Sequence, residues 1–409
     1  GMNTLFYQAI ERIPLGAAPS LEHAATPGEV AVAAATLLAS GSGESQRALA
    51  AHNALLGDPA WRNVLRGRLI EARREDPGIP FDRTMGRLRD PALVGFAAQI
   101  LDGDRLWSAT QLNDLGQCPF RFFARRLLHL EELKEPEEGY DALQLGSIYH
   151  AILERTYRAV QREGLAIMTD NLPRALDLLE TIAASVLADA PERYGFRPSA
   201  VWPHEQATLL KRLRWLVEQD FSGDGPIDST FGEGAPRIPY ALEAAFGMGG
   251  GEPVAIDGPA GTLWIRGKID RLDRAGDAIV VIDYKSGGDK ITDEDLREAR
   301  NVQMLVYLLA ADRILAENDE QAQVIGGLYW YISDRKPGGV VAGQAGSDAL
   351  AQASAALHRH VEQARDGRFV VMPGKPMVGR KCAYHWCDFR TMCRLTRPGR
   401  RKSFEETDA

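Results

Sequence analysis

The sequence predicts an α/β protein in which a central sheet is flanked by helices, with a helical region at the N-terminus and a Cys-rich segment at the C-terminus. Three observations predict it. Residues 267–285 form two β-rich segments around a turn at Gly276, the pattern of an antiparallel hairpin. Helical periodicity stands on both sides of that hairpin, and a strand from Val324 to Ser333 followed by a helix at about 348–366 continues the alternation. Three of the four cysteines then fall together at Cys382, Cys387 and Cys393.

The chain has 409 residues, room for two or three domains, and its 45% hydrophobic and 25% charged residues are those of an ordinary soluble protein. No apolar run approaches transmembrane length and the N-terminus lacks a signal-peptide pattern, so a cytoplasmic location is expected. Gly1 before Met2 reads as an expression scar. The net charge of −8 argues against a uniformly basic nucleic-acid-coating protein but leaves room for a local basic channel. Two basic clusters exist, Arg121, Arg125 and Arg126, and then Arg380, Lys381, Arg390, Arg394, Arg397, Arg400, Arg401 and Lys402, and both surround cysteines.

Residues 1–107 read as a helical accessory region. Thr26-Pro27-Gly28-Glu29 is a capping-box start with Pro at the first helical position, and further helices at about 44–56 and 59–75 are punctuated by Gly57-Asp58-Pro59. A second capping box, Ser108-Ala109-Thr110-Gln111, opens a short helix leading to Cys118-Pro119-Phe120. After the acidic linker from Glu131 to Glu138 comes an amphipathic helix from about Ala142 to Glu163. In it Gly146 lies one turn before His150 and is expected to leave room for a ligand or metal beside the imidazole. On its own, His150 is more commonly a hydrogen-bonded, half-buried side chain.

Helical pattern resumes from Leu172 to Phe221, followed by a Gly/Pro-rich loop, Ser222 to Pro236. The strand Ile238–Phe246 carries Glu243, Gly247–Gly251 reads as a hairpin loop, and the strand Thr262–Leu272 enters the central hairpin. Beyond Lys285, a turn at Ser286-Gly287-Gly288 precedes a helix expected to run from Thr292 to about Glu317. On it Arg300, Gln303 and Tyr307 form one polar stripe, with Arg300 on an exposed face.

The chemistry concentrates in the hairpin. The period-2 pleat places Asp283 and Lys285 on one face, and pairing of the two strands brings Asp270 across to the same spot. Two close carboxylates repel, and a hard divalent cation is their usual stabiliser. A metal beside an ammonium that orients water is the apparatus for phosphodiester hydrolysis. A surface hairpin with scattered charges is the plainer alternative.

Cys118, remote from Cys382-x4-Cys387-x5-Cys393, completes a set of four thiols. Such a set is a poor disulfide framework in a reducing compartment and a good tetrahedral ligand set for an iron-sulfur cluster or zinc, stapling the two ends of the α/β unit. Spacing does not separate the two metals, and His385 offers zinc an alternative ligand.

Several motifs occur together in order: Ser108-Ala109-Thr110-Gln111-Leu112, Cys118-Pro119-Phe120, Gly146-x3-His150, Gly267-x-Ile269-Asp270-Arg271-Leu272-Asp273, Ile282-Asp283-Tyr284-Lys285-Ser286-Gly287, Gln303-x3-Tyr307 and the terminal cysteines. With these the sequence resembles the RecB/AddB-type nucleases of the PD-(D/E)XK superfamily, in the subgroup bracketed by an iron-sulfur cluster. The resemblance implies a restriction-endonuclease-like mixed sheet, a nuclease domain over 108–395 and a basic-then-acidic tail over 396–409.

It also implies that His150, Asp270 and Asp283, with the Tyr284 carbonyl, bind Mg²⁺ or Mn²⁺. By the same resemblance Lys285 orients the attacking water, and Gln303 and Tyr307 position the strand. Glu243 matches the family only loosely. Cys118, Cys382, Cys387 and Cys393 would hold a 4Fe-4S cluster, with zinc as the alternative. The gap between Cys382 and Cys387 is four residues where the family more often has two.

The implied activity is a metal-dependent deoxyribonuclease, exonucleolytic rather than endonucleolytic, acting on single strands or DNA ends in recombination or repair. No Gly-x4-Gly-Lys-Ser/Thr occurs, so the chain is expected to stand alone or to be the nuclease part of a helicase-nuclease complex whose partner supplies the helicase. A non-catalytic DNA-binding or scaffold subunit that keeps the fold and cysteines is the competing class. Intact Asp270, Asp283 and Lys285 count against it.

Overall fold

The computed structural model describes residues 20–40, 45–75, 83–103, 105–131, 138–225, 227–228, 236–249, 251–288, 290–318, 321–375 and 382–393. The tail 396–409, most of the acidic linker, much of the 222–236 loop, and Arg380, Lys381, Arg394, Arg397, Arg400, Arg401 and Lys402 lie outside the described residues. The chain divides into two compact units, residues 1–84 with 399–409, and residues 85–398.

In the first unit, α1 (Pro27–Ser40), α2 (Ser45–Leu56) and α3 (Pro59–Glu75) follow one another. The capping box at α1 forms as its sequence requires: Glu29 Oε2 accepts the Thr26 amide at 3.0 Å while Thr26 Oγ1 accepts the Glu29 amide at 3.3 Å.

The second unit opens with α4 (Pro91–Leu101), capped by Asp90, and β1 (Leu106–Ser108), a strand inside the stretch read as helical. Ser108 and Gln111 cap α5 (Ala109–Gln117) reciprocally, α6 (Pro119–Phe122) follows, and Asp141 and Gln144 cap α7 (Ala142–Arg162) in the same way. The helical stretch after Leu172 is two helices, α8 (Leu172–Tyr194) and α9 (Trp202–Asp220), separated where Gly195 turns left-handed at φ 68°. Next come β2 (Ile238–Phe246), β3 (Val254–Ile256), β4 (Leu263–Ala275), β5 (Ala278–Lys285), α10 (Asp293–Arg297), α11 (Gln303–Glu317), β6 (Gln323–Tyr331), β7 (Lys336–Ala342), α12 (Gly343–Arg365) and α13 (Arg390–Cys393). No helix among the described residues is long and apolar enough to cross a membrane.

The sheet order is β1-β4-β5-β6-β7, with β2 and β3 also on β4. Pairs β1–β4 and β5–β6 are parallel and the others antiparallel, so the sheet is mixed. The expected hairpin is β4–β5, with Arg271 opposite Ile282. The glycines after Phe246 do not make a hairpin. Strands β2 and β3 both run antiparallel to β4, β3 taking up Ile265 where β2 leaves off at Gly267, and Gly247 N donates to Glu252 O at 3.0 Å. The connection is thus a bulge in one continuous edge.

Each sheet face carries a core. Ile279 and Val281 pack with Trp107, Leu112, Ile269, Val306 and Tyr329 on one side; Val280 and Ile282 pack with Tyr149, Leu179, Leu213 and Trp330 on the other. β5 is therefore apolar at consecutive positions because helices cover both faces.

The helix expected from Thr292 to Glu317 is broken into α10 and α11, because Ala299 adopts φ 53°. Tertiary contacts hold the break. A Cβ on Gly116 would meet Ala299 O at 2.0 Å, Asn113 Oδ1 accepts the Val302 amide at 2.7 Å, and Gln117 Nε2 donates to Arg300 O at 3.1 Å. Arg300 is accordingly buried rather than exposed, donating to Asp295 Oδ1 at 2.9 Å and Gly374 O at 2.6 Å.

Behind the hairpin, on the α7–α9 side, Arg271 and Arg237 are buried with Asp220, Asp228 and Asp273. Arg271 Nε donates to Asp273 Oδ1 at 2.6 Å, its Nη1 donates to Tyr284 Oη at 2.9 Å and lies 2.7 Å from Asp220 Oδ2, and its guanidinium stacks 3.7 Å from the Tyr157 ring centroid. Arg237 reaches Asp228, Asp273 and Asp220 at 2.9, 2.6 and 2.9 Å. With its partners satisfied the cluster is tolerated; removing one side would leave a buried charge at a cost of about 3–5 kcal/mol.

Candidate active site

Strand register builds the site. Between the pairs Leu242–Arg271 and Ala244–Ile269, Glu243 stands opposite Asp270; one step beyond Arg271–Ile282, Asp270 stands opposite Asp283. Three carboxylates thus form one row across β2, β4 and β5. Like charges directly opposite are destabilising, and Glu243 adds backbone strain, at φ 51° in the left-handed region. Lys268 offsets part of the charge, its Nζ lying 2.5 Å from Glu243 Oε2.

His150 enters from α7. Its Nδ1 lies 3.3 Å from Asp270 Oδ1 and its Nε2 lies 3.2 Å from the Tyr284 carbonyl oxygen. Ligand atoms of His150, Glu243 and Asp270 lie within 4.8 Å of one another, a group able to hold a metal ion. Glu243 is the member that sequence reasoning left loose; its position opposite Asp270 became visible only through the register.

Asp270 Oδ2 accepts the Tyr284 amide at 2.9 Å, which ties the first strand's acid to the backbone between Asp283 and Lys285. Asp283 is buried beside Lys285, with Oδ2 2.6 Å from Lys285 Nζ but without an aligned hydrogen bond. Gln303, the first residue of α11, is a hub: Lys285 Nζ donates to its Oε1 at 2.7 Å, and its Nε2 lies 2.9 Å from both Asp283 Oδ1 and Tyr307 Oη. The broken helix places this side chain, since the clamped 299–302 turn sets where α11 begins.

The site is electrostatically loaded. Burial pushes the Asp283 carboxyl up to about 6; Lys285 opposes the rise and the Asp270 charge adds to it. Burial works against a charged His150, but the hydrogen bond to Asp270 and the charges of Asp270, Asp283 and Glu243 raise it to about 9. Burial, then Asp283 and Asp270, push the Tyr307 hydroxyl upward, which keeps it a donor.

Beside His150 the space at Gly146 is open: a Cβ there would meet only Ser286 Oγ, at 3.9 Å. The glycine the site requires is Gly267, whose Cβ would lie 2.7 Å from the Phe246 ring.

Residues 106–394 match the PD-(D/E)XK nuclease superfamily. The chain belongs to that superfamily. Among curated relatives, it is 33% identical over 231 residues to the B-type subunit of the ATP-dependent helicase/deoxyribonuclease of Symbiobacterium thermophilum, covering 52% of this chain and 18% of that one. To the protein of the same name from Clostridium kluyveri it is 28% identical over 240 residues, 56% of this chain and 19% of that one. To that of Lacticaseibacillus casei it is 28% identical over 317 residues, 72% of this chain and 24% of that one. The chain spans about a fifth of the length of these relatives.

The four cysteines of this PD-(D/E)XK protein are thiols rather than disulfides, each half-buried. They share a neighbourhood: Cys387 feels the charges of Cys393 and Cys382, and Cys118 that of Cys387. Burial pushes the Cys118 thiol up to about 11, against backbone N–H groups of Arg121, Met372 and Phe120 that face its sulfur. Those donors favour a thiolate, the form that ligates metal. His385 is exposed.

Proposed function

We propose that this chain is a divalent-metal-dependent deoxyribonuclease that hydrolyses phosphodiester bonds in single strands or at DNA ends, acting exonucleolytically in the cytoplasm as the nuclease part of a helicase-nuclease assembly. The observation that carries the reading is the row Glu243–Asp270–Asp283 met by His150 and Lys285, in which ligand atoms of His150, Glu243 and Asp270 lie within 4.8 Å of one another. Superfamily membership supports the reaction class, and the names of the relatives support DNA as substrate and a helicase as partner.

His150, Glu243 and Asp270 would hold Mg²⁺ or Mn²⁺, with Asp283 and the Tyr284 carbonyl adjacent; when bound, the ion supplies charge for the scissile phosphate and acidifies water. The chain's own groups do the rest. Lys285 Nζ, fixed by Gln303 and Asp283, orients water for attack, and Gln303 with the protonated Tyr307 hydroxyl keeps that ammonium aimed. Cys118, Cys382, Cys387 and Cys393 would hold a 4Fe-4S cluster, a structural staple supported by the four-thiol set and by the N–H groups facing Cys118.

The test is cleavage of end-labelled single-stranded DNA with Mg²⁺ or Mn²⁺ by wild type, Asp283→Ala and Lys285→Ala. Loss of cleavage in both variants is expected. Equal inertness of all three proteins on every DNA form would replace this reading with that of a DNA-binding scaffold.

A further inference from the structure

A groove of about 230 Å³ is lined both by Lys285 and by Tyr384 and Trp386 of the cysteine-rich segment. Its walls include Lys290, Arg300, Tyr331, Lys375 and Trp386, and Asp295 is the acid among them. Arg300 and Lys375 both pair with Asp295 at 2.9 Å and Arg300 also with Glu294 at 3.0 Å, so the excess positive charge of the wall comes from Lys290. Lys290 is exposed, at the rim.

Among the lining residues is Trp386, which is 43% exposed, a large ring left open on a polar surface. It is held from behind. The Arg121 guanidinium lies 4.3 Å from its ring centroid, and Arg121 is itself pinned by Asp114 at 2.9 Å and Gln117 at 2.6 Å. Tyr384 meets the ring edge-on at 5.6 Å. An aromatic platform fixed by a buried cation, with ammonium groups along the path, is the combination that binds an unpaired polynucleotide: phosphates track the cations and a base stacks on the ring. Bases paired in a duplex present no free face to such a ring.

We propose that this groove holds the unpaired DNA strand on one side of the scissile phosphodiester, with phosphates on Lys290 and Lys375 and a base stacked on Trp386. The proposal rests on the nuclease reading above and adds to it the path of the strand and the residues that select unpaired bases.

The test uses the full chain and three substitutions, Lys290→Glu, Trp386→Ala and Trp386→Phe, with two substrates in Mn²⁺: an oligothymidylate, and bis(p-nitrophenyl) phosphate, which has no neighbouring nucleotides to lie on Lys290 or Trp386. Affinity for the same oligothymidylate and for a blunt duplex is also measured in EDTA. Lys290→Glu and Trp386→Ala are expected to raise KM for the oligothymidylate about tenfold, with kcat and the small-diester rate within about twofold, and to weaken metal-free binding of the single strand alike. Trp386→Phe retains most of the affinity, and duplex binding does not change. An unchanged oligothymidylate KM in Lys290→Glu and Trp386→Ala, with the small diester still hydrolysed, overturns the groove and leaves the nuclease reading standing; so does equal loss of duplex and single-strand binding. If wild type cleaves neither substrate, the nuclease reading falls, and metal-free binding decides the groove by itself. Lys290→Glu, exposed and distant in sequence from the cysteines, keeps the test decisive should the Trp386 substitutions unfold their segment.

Discussion

Asp270 Oδ2 accepts the amide of Tyr284 at 2.9 Å, so the acid at the centre of the carboxylate row also closes the ladder between the two strands that carry the others. Charge and backbone bonding can be separated. Asp270→Asn keeps a carbonyl acceptor for that amide and loses the charge; Asp270→Ala loses both. Isothermal titration with Mn²⁺ should show affinity reduced roughly a hundredfold or more in both. Only Asp270→Ala should also lose about 1 kcal/mol of stability in urea unfolding.

Gln303 links Lys285 to Asp283 and Tyr307 without belonging to the three-ligand group. Gln303→Leu should therefore lower kcat by about 10–100-fold while Mn²⁺ affinity stays near wild type. A matching loss of metal affinity would place Gln303 among the ligands instead.

Two glycines of the motifs should behave oppositely. Gly146→Ala meets open space on a helix and should leave cleavage intact while stabilising α7 by up to about 1 kcal/mol. Gly267→Ala drives a methyl into the Phe246 ring and should cost about 1–3 kcal/mol, read as a lowered midpoint in thermal or urea unfolding.

The buried charge cluster sets an acid limit. Burial alone would raise the Asp220 carboxyl, but Arg271 and Arg237 hold it down at about 2. Its folded pKa is thus below the unfolded value of about 3.9, so its contribution is fully present above that value and is lost as pH falls toward about 2. Urea unfolding across that window should show stability falling more steeply in wild type than in Asp220→Asn, by a total on the order of 2 kcal/mol.

For the cysteines, anaerobically purified protein should be coloured and carry iron, and Cys118→Ser should lose the visible absorption and unfold at lower temperature. Colourless protein with stoichiometric zinc would reassign the four thiols to zinc.

Local signals carried far. The capping boxes at Thr26 and Ser108 marked two helix starts, and the Gly276 turn and the period-2 acids placed the hairpin and three of its candidate side chains, because caps, turns and pleat are fixed by neighbours in sequence. Long-range contacts were not legible in the same way. Arg300 looked like an exposed helix residue because nothing nearby in sequence reveals that α5 clamps the Ala299 turn. Glu243 matched only loosely because its meaning lies in a pairing across the interrupted edge, and the buried arginines behind the hairpin carried no local signal because their three acids converge on them from α9, the 222–236 loop and β4.

Tyr284 is held through both backbone and side chain: its amide donates to Asp270 and its carbonyl meets His150, while its hydroxyl accepts from Arg271 in the buried cluster. Moving the backbone at Tyr284 would therefore disturb both the Asp270 contact and the buried cluster. Adjustment is left to His150 on α7 and to Glu243 at the one left-handed residue of β2. If the row holds an ion as proposed, those two positions are where substitution can retune the choice of ion without first redesigning the protein's interior.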